Sequence, residues 1–327
     1  MTVFDARSAA HSLTGGMSLP AFNTDVRERR AAHFEHAFDA ERIGELFNIA
    51  RLESLFSSEA VPLTSVDVFD DTQLTRLVDM QYKSGKTGLA IIAERFRGGS
   101  TIRVRDVDKA DARLALFVAE IRQAFAAGSQ INLYLTPPSK PGFAPHFDIT
   151  DVFIVQCLGA KQWRVYDDYA NRIDLPMMDT NWDPERFAPS SRPEPITLSA
   201  GDVLYLPRGV MHEAFCTDRE SMHLTISLTP LTMVDLITRE LQRVGADNIG
   251  FRQRIAWDVG DDSASAIERI TALVRERLSE LSAGLDVASV LASERRVLGG
   301  SRKTGGGNEL TAALDALRSE ASQPSGV

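Results

Sequence analysis

Apolar and polar positions recur with two different periods along this chain, and the changes of period mark it into stretches. The first twenty residues are polar and Gly-containing and read as a loose arm. From Pro20 to about Ser57 the spacing is helical. In "DAERIGELFNIARLESLFSS", Asp39 is placed as an N-cap, and Ile43, Leu46, Phe47, Leu52, Leu55 and Phe56 follow at helical intervals. "VPLTSVDVF" predicts a strand, "DDTQLTRLVDMQYKSG" a helix and "GLAIIAERF" a further strand. "KADARLALFVAEIRQAFAAG" predicts a helix ended by Gly128.

Between about Gln130 and Leu228 the period changes. Short runs rich in β-branched and aromatic residues, punctuated by Gly and Pro, replace the helical spacing: "QINLYLTPP", "DVFIVQCLG", "KQWRVYD", "EPITLSAGDVLYLPRG", "VMHEAF" and "MHLTISLTP". Short strands separated by turn signals predict an antiparallel sandwich or barrel. Helices leading into such a sheet give an α+β domain. A turn is expected between "DVFIVQCLG" and "KQWRVYD". After Pro230 the helical period returns. Leu231, Val234, Ile237, Leu241 and Val244 share one face, and Ile267, Ile270, Val274, Leu278 and Leu281 share another. "DVASVLASERRVL" predicts a shorter helix, "GGSRKTGGGN" a flexible linker and the remainder a short Ala/Leu-rich helix. The expected divisions are 1–230, 231–298 and 299–327, with the helical faces of the second wide enough to pack on the barrel or on a second subunit.

Composition narrows the class of protein. The chain has 327 residues, 43% hydrophobic and 25% charged, an ordinary globular balance. A net charge of -9 argues against a nucleic-acid partner, since phosphate binding needs a basic face, but leaves a basic protein or cationic peptide open as substrate. Cys157 and Cys216 lie in apolar strand-like runs and read as core residues in a reducing compartment. No stretch is long enough to cross a bilayer and the N-terminus has no apolar signal core, so a cytoplasmic protein is expected.

Several polar residues stand where an apolar sheet should exclude them. His146 and Asp148 precede the run "DVFIVQCLG", and residues two apart on a strand face the same side. Desolvating that pair is costly. Taken alone, His-x-Asp is more often a satisfied surface pair than a metal site. "GDVLYLPRGVMHEAF" changes the balance, because its two turns set the depth of His212 on the following strand. Two neutral imidazoles and one carboxylate on converging strands make a facial triad that holds a divalent metal and leaves positions open.

Lys161 shares a strand face with Trp163 and Val165. It either caps a turn in solvent or points into the barrel toward an anionic ligand. In "QINLYLTPP", Ile131, Leu133 and Leu135 take one face and Asn132 and Tyr134 the other, which is either solvated or the lining of a cavity. In "HLTISL", Thr225 and Ser227 could line the same pocket, although β-propensity alone accounts for the threonine. His223 is on their face and is expected to make a structural hydrogen bond.

"INLYLTPP…PHFDITDVFIVQCLGAKQWRVYD", followed by "GDVLYLPRGVMHEAF" and "HLTISL", resembles the JmjC-type cupins, and within them the ribosomal-oxygenase group. The likeness is detailed over about Gln130–Pro230 and looser back to "AFNTDVRERRAAHFEHAFDAERIGELFNIARLESLFSS", which is similar to that group's N-terminal helical segment. It implies a double-stranded β-helix core and an Fe(II)- and 2-oxoglutarate-dependent hydroxylase. His146, Asp148 and His212 match the iron ligands. Lys161 matches the lysine that pairs with the distal carboxylate of 2-oxoglutarate. Asn132 and Tyr134 match residues lining the cosubstrate pocket, with Thr225 or Ser227 assisting. The C-terminal helices resemble a dimerisation region, and the winged-helix module expected after it reads as shortened or absent.

The chain departs from the pattern at Ile149 and Thr150, where the group tends to carry an acidic residue. That bears on the identity of the substrate more than on iron binding. The leading expectation is a hydroxylase of a side chain in a protein or peptide, using dioxygen. A small molecule or biosynthetic peptide is the alternative substrate. A non-catalytic metal-binding cupin is the alternative class, against which the intact triad and the filled lysine position stand. Tyr166, Tyr169 and Trp182 have no spacing that suggests an aromatic cage for methyl-lysine, which argues against a demethylase. Substrate contacts are expected from the long Pro-rich stretch "DLPMMDTNWDPERFAPSSRPEP".

Overall fold

The computed structural model describes residues 6–70, 73–140, 142, 144–166, 175–177, 192–255 and 263–299. These divide into two compact units, Met1–Met233 and Val234–Val327.

The first unit opens with two short helices, α1 (Ala6–Leu13) and α2 (Leu19–Asp25). Ser18 caps α2 by accepting the Ala21 N–H, and Pro20 occupies its first turn, where a missing N–H costs nothing. The short strand β1 (Ala32–Phe34) follows. The stretch expected as one helix from Asp39 is two: α3 (Ala40–Leu46) and α4 (Ile49–Ser57). Asp39 does cap the first, while Phe47 turns extended and Asn48 caps the second by accepting the Arg51 N–H. The apolar spacing survives the break, for Ile43, Leu46, Phe47, Leu52, Leu55 and Phe56 are all buried.

The next segment departs most from the sequence pattern. The strand expected over "VPLTSVDVF" starts only at Val66, as β2 (Val66–Asp70). The helix expected from Asp70 begins late: β3 (Gln73–Arg76) first folds back on β2, and α5 (Leu77–Ser84) follows. "GLAIIAERF", expected as a strand, is the helix α6 (Gly88–Arg97). Its β-branched pair suggested a strand, but Gly88, Ile91 and Ile92 are the buried positions, and Thr87 caps the helix through the Ala90 N–H. Strand β4 (Thr101–Val104) leads to α7 (Ala112–Phe125), which ends on Ala126 in the left-handed region (φ 48°), three residues before Ser129. Gly128, expected to stop that helix, is already inside β5 (Ala127–Thr136).

The remaining strands are β6 (Asp151–Tyr166), β7 (Ile196–Ser199), β8 (Val203–Leu206) and β9 (Met211–Pro230). The sheet runs β1-β8-β6-β9-β5-β4-β2-β3, with β7 on β6, and its pairs are antiparallel. With helices before and after it, this is the α+β, jelly-roll arrangement of a double-stranded β-helix. No turn separates "DVFIVQCLG" from "KQWRVYD"; β6 passes through both. Its partner β9 likewise runs unbroken through "VMHEAF" and "MHLTISLTP". The expected turn is a bulge. Gly159 adopts φ +66° opposite Ser221, and a side chain there would meet the Glu220 carbonyl oxygen at 1.7 Å. Bulges bend long strands, so these two strands serve both halves of the barrel. Phe22 of α2 packs on Phe125, Phe153 and Tyr205 with ring centroids 5.9, 5.6 and 5.0 Å away, which fastens the lead-in helices to the barrel wall.

The second unit holds α8 (Met233–Asp247), α9 (Ala264–Ala283) and α10 (Val287–Gly299). Within it, Glu240 is buried and accepts from Arg243 and from the Asp286 N–H. Tyr169, Trp182, most of the Pro-rich stretch and the final Ala/Leu-rich helix lie outside the described residues. Among those described, no helix is long and apolar enough to cross a membrane.

Candidate metal centre and cosubstrate cavity

The spacing G-D-x-x-x-x-P-x-G-x-x-H acts through backbone contacts. Gly201 takes φ +98° against the Phe38 carbonyl, where a side chain would approach to 2.3 Å. Asp202 is buried and its carboxylate accepts the Ser199 and His36 N–H groups, both at 2.8 Å, so its charge is held by backbone donors. The second turn brings Gly209 (φ +81°), whose N–H donates to the Asp148 carbonyl at 2.8 Å. Three residues on, His212 forms a two-bond bridge with His146: His146 N–H to His212 O at 3.0 Å and His212 N–H to His146 O at 2.7 Å. The same few hydrogen bonds therefore bring all three side chains together.

His146, Asp148 and His212 offer ligand atoms within 4.8 Å of one another, and they are the set of this kind found among the described residues. The imidazole centroids are 4.5 Å apart, and His212 Nε2 is 3.8 Å from Asp148 Oδ2. His146 Nδ1 sits 2.8 Å from the Ala144 carbonyl oxygen and His212 Nδ1 sits 3.0 Å from that of Val210. A carbonyl only accepts, so each Nδ1 carries the proton and each Nε2 keeps its lone pair. This is how metal-ligating histidines are oriented. Burial and the neighbouring His146 push His212 down to about 4, which keeps the ring neutral. Two neutral imidazoles and one half-exposed carboxylate fit a divalent ion of the 2-His-1-carboxylate type.

The triad opens onto a cavity lined also by Tyr134, Val152, Ile154, Lys161, Trp163, Ala214, His223 and Thr225. Lys161 is inside the barrel, 2% exposed. Its Nζ reaches Thr136 Oγ1 at 3.3 Å and lies 5.7 Å from the Trp163 ring centroid. Burial pushes its pKa down to about 8, only weakly opposed by Cys216. A lone buried ammonium is what an incoming carboxylate would stabilise. Tyr134 is held by Arg103, which also donates to the buried Asp67 at 2.7 and 2.9 Å; burial raises the phenol's pKa, and Arg103 opposes that.

Of the residues matched to the cosubstrate pocket, Lys161, Tyr134 and Thr225 line the cavity. Asn132 shares their face, but its side chain accepts the Asp106 N–H at 3.1 Å, and the Ser227 hydroxyl donates to the Gln130 carbonyl at 3.3 Å. Neither is among the lining residues. Trp163 was legible as a neighbour of Lys161 on one strand face. Ala214 was not singled out, although it stands two residues after His212. Cys157 and Cys216 are free, buried thiols. Burial pushes Cys157 up to about 12.

Fold and site together describe a β-barrel whose triad could hold a divalent metal, and residues 108–236 match the JmjC domain family. Two curated relatives are the bifunctional lysine-specific demethylase and histidyl-hydroxylase NO66 of Dictyostelium discoideum and ribosomal oxygenase 1 of Gallus gallus. The first is 29% identical over 74% of this chain and 48% of its own length, the second 28% over 71% and 40%. The chain therefore spans about half the length, or less, of these relatives. Among solved structures, the ribosomal oxygenase YcfD from Escherichia coli, in complex with cobalt and succinic acid, aligns with a TM-score of 0.52. The two are 16% identical over 88% of this chain and 72% of that one, a likeness of fold.

Proposed function

We propose that this protein is an Fe(II)- and 2-oxoglutarate-dependent dioxygenase that hydroxylates an amino-acid side chain in a protein or peptide. The observation that carries the reading is one cavity with the His146–Asp148–His212 triad and the buried ammonium of Lys161, which has no carboxylate partner among the described residues, both in its wall. His146, Asp148 and His212 would hold the iron. When bound, the ion supplies the oxidising chemistry that couples decarboxylation of 2-oxoglutarate to succinate with insertion of one oxygen atom of dioxygen into a C–H bond. The chain's own residues orient and exclude. Lys161 pairs with the distal carboxylate and has no role as a base. Tyr134 and Thr225 border the cosubstrate, and Val152, Ile154, Trp163 and Ala214 keep water from the site.

The names of the relatives support a protein substrate. A net charge of -9 favours encounter with a basic one, such as a ribosomal-protein loop. We further propose that the protein is a cytoplasmic homodimer. The free thiols support a reducing compartment. Exposed apolar residues on the C-terminal helices, among them Met233, Val234, Ile237 and Leu241 on α8 and Ile267, Val274 and Leu278 on α9, support a second copy as the covering surface. On this reading 1–230 is the oxygenase domain, 231–298 the dimerisation region and 299–327 a tail. The test is a screen of cell-derived peptides with iron, 2-oxoglutarate and dioxygen, read by succinate release and mass spectrometry. A peptide that gains one oxygen atom in step with succinate supports the reading, and iron-loaded protein that never turns over 2-oxoglutarate overturns it. Light scattering that gives a monomer would end the dimer proposal.

A further inference from the structure

His223 was expected to make a structural hydrogen bond, and among the described residues its ring makes none. It is 2% exposed, and its Nδ1 is buried without a partner among those residues. A buried polar atom left unpaired is costly, so each such case calls for an explanation. The ring is held firmly all the same. It stacks on Tyr134 with centroids 5.0 Å apart and planes within 6°, and it meets Trp163 edge-on at 5.5 Å and 82°. Both neighbours line the cavity, as His223 does. Its strand register opposes Tyr134 on one side and Gln156 on the other, two positions from the cavity-lining Thr225. Burial, and the charge of nearby Lys161, keep the imidazole neutral, so it carries one N–H and one acceptor nitrogen.

We infer that His223 is a second cosubstrate-binding residue, a neutral imidazole that donates a hydrogen bond to the distal carboxylate of 2-oxoglutarate beside Lys161. The inference rests on the oxygenase reading above. It explains together the fixed ring, the orphaned nitrogen and the place in the wall. A carboxylate has more lone pairs than one ammonium can use, and a neutral donor adds a bond without adding a second buried positive charge. The rival occupant is a water held between His223 Nδ1 and Gln156 Oε1, which is also buried and unpaired on the facing strand.

Calorimetric titration separates these, using the full chain loaded with Mn(II) under anaerobic conditions so that binding is read without turnover. The titrants are 2-oxoglutarate and pyruvate, a 2-oxo acid without the distal carboxylate. His223→Phe keeps a flat ring for the stack and removes both nitrogens. It is expected to weaken 2-oxoglutarate about tenfold or more, the size of a lost hydrogen bond to a charged group, and to leave pyruvate within about twofold. His223→Asn restores a donor and is expected to recover most of the affinity. Should the Phe variant not fold, wild-type protein loaded with Zn(II) and labelled with ¹⁵N-histidine gives the answer. 2-Oxoglutarate is expected to shift the His223 ring signals. Equal binding of 2-oxoglutarate by wild type and His223→Phe, or ring signals that stay in place, overturns the assignment and leaves the bridging water as the explanation. Wild-type protein that does not bind 2-oxoglutarate at all overturns the assignment and the oxygenase reading together.

Discussion

Lys161 lets the cost of building the proposed cosubstrate cavity be measured apart from its use. Its ammonium is 2% exposed, has Thr136 Oγ1 at 3.3 Å as its hydrogen-bond acceptor, and has no carboxylate within ion-pair distance among the described residues. Burial pushes its pKa from 10.5 down to about 8. In the unfolded chain the group keeps its ordinary value, so between about pH 8 and pH 10.5 the unfolded state binds the extra proton and stability rises with pH. Below pH 8 both states are charged and the full penalty applies, on the order of 3 kcal/mol. Lys161→Met removes the charge, keeps an unbranched stem, and leaves Thr136 with Thr101 Oγ1 at 3.3 Å. The variant is expected to be more stable than wild type at pH 7, with a midpoint higher by several degrees at roughly 2–4 °C per kcal/mol. The gap should shrink toward zero by pH 10.5. Added 2-oxoglutarate should raise the melting point of metal-loaded wild type and leave the variant unmoved. Thermal unfolding followed by circular dichroism at pH 7 and pH 10, with and without 2-oxoglutarate, reads all of this. A variant less stable at pH 7, or a gap indifferent to pH, would refute the picture of a strained ammonium waiting for its anion.

Three other perturbations have defined outcomes. Asp148→Ala should lose the Fe(II) or Mn(II) that wild type retains through dialysis, measured by elemental analysis, while its unfolding midpoint without metal changes little; retention of metal at the wild-type level contradicts the triad. Gly159→Ala places a methyl group at the Glu220 carbonyl at φ +66°, so about 3 kcal/mol or more of stability should be lost in urea unfolding, and a loss below about 1 kcal/mol would mean that the bulge is not rigid. Asp111 caps α7 through the Arg113 and Leu114 N–H groups and pairs with Arg51, so Asp111→Ala should cost about 2–4 kcal/mol by the same assay, and a neutral result would remove its structural role.

The sequence errors fall where local pattern and tertiary context conflict. "GLAIIAERF" has the β-branched centre of a strand, yet the Thr87 cap and the burial of Gly88, Ile91 and Ile92 make it a helix. The helical period is present in the sequence, and it outweighs the strand propensity of the Ile pair. Phe47 is buried on the apolar face expected of it, and no composition signal marks it as the break between α3 and α4; only the Asn48 cap does. Gly159 looked like a turn because a Gly between two strands usually is one. Here the same left-handed φ supports a bulge, and only the facing backbone of Glu220 and Ser221 decides between the two.

The triad was legible for a different reason. The groups that position His146, Asp148 and His212 are backbone hydrogen bonds made by neighbouring turns, so the spacing of Gly201, Asp202, Gly209 and His212 carries the geometry in the chain itself. The depth of the cavity is not encoded that way. Asn132 and Tyr134 alternate identically in sequence, yet Asn132 is taken up by the Asp106 N–H while Tyr134 reaches the lining, because the turn carrying Asp106 and Asp108 bonds to β5 at Ile131 and Asn132. Ser227 and Thr225 part in the same manner. Strand periodicity assigns a face, and which part of that face meets a ligand depends on what long-range packing places over the rest. His223 shows this dependence on packing most clearly. On a polar face, two residues from Thr225, it read as a satisfied structural histidine, and its significance lies in a missing hydrogen bond that only the folded cavity can reveal.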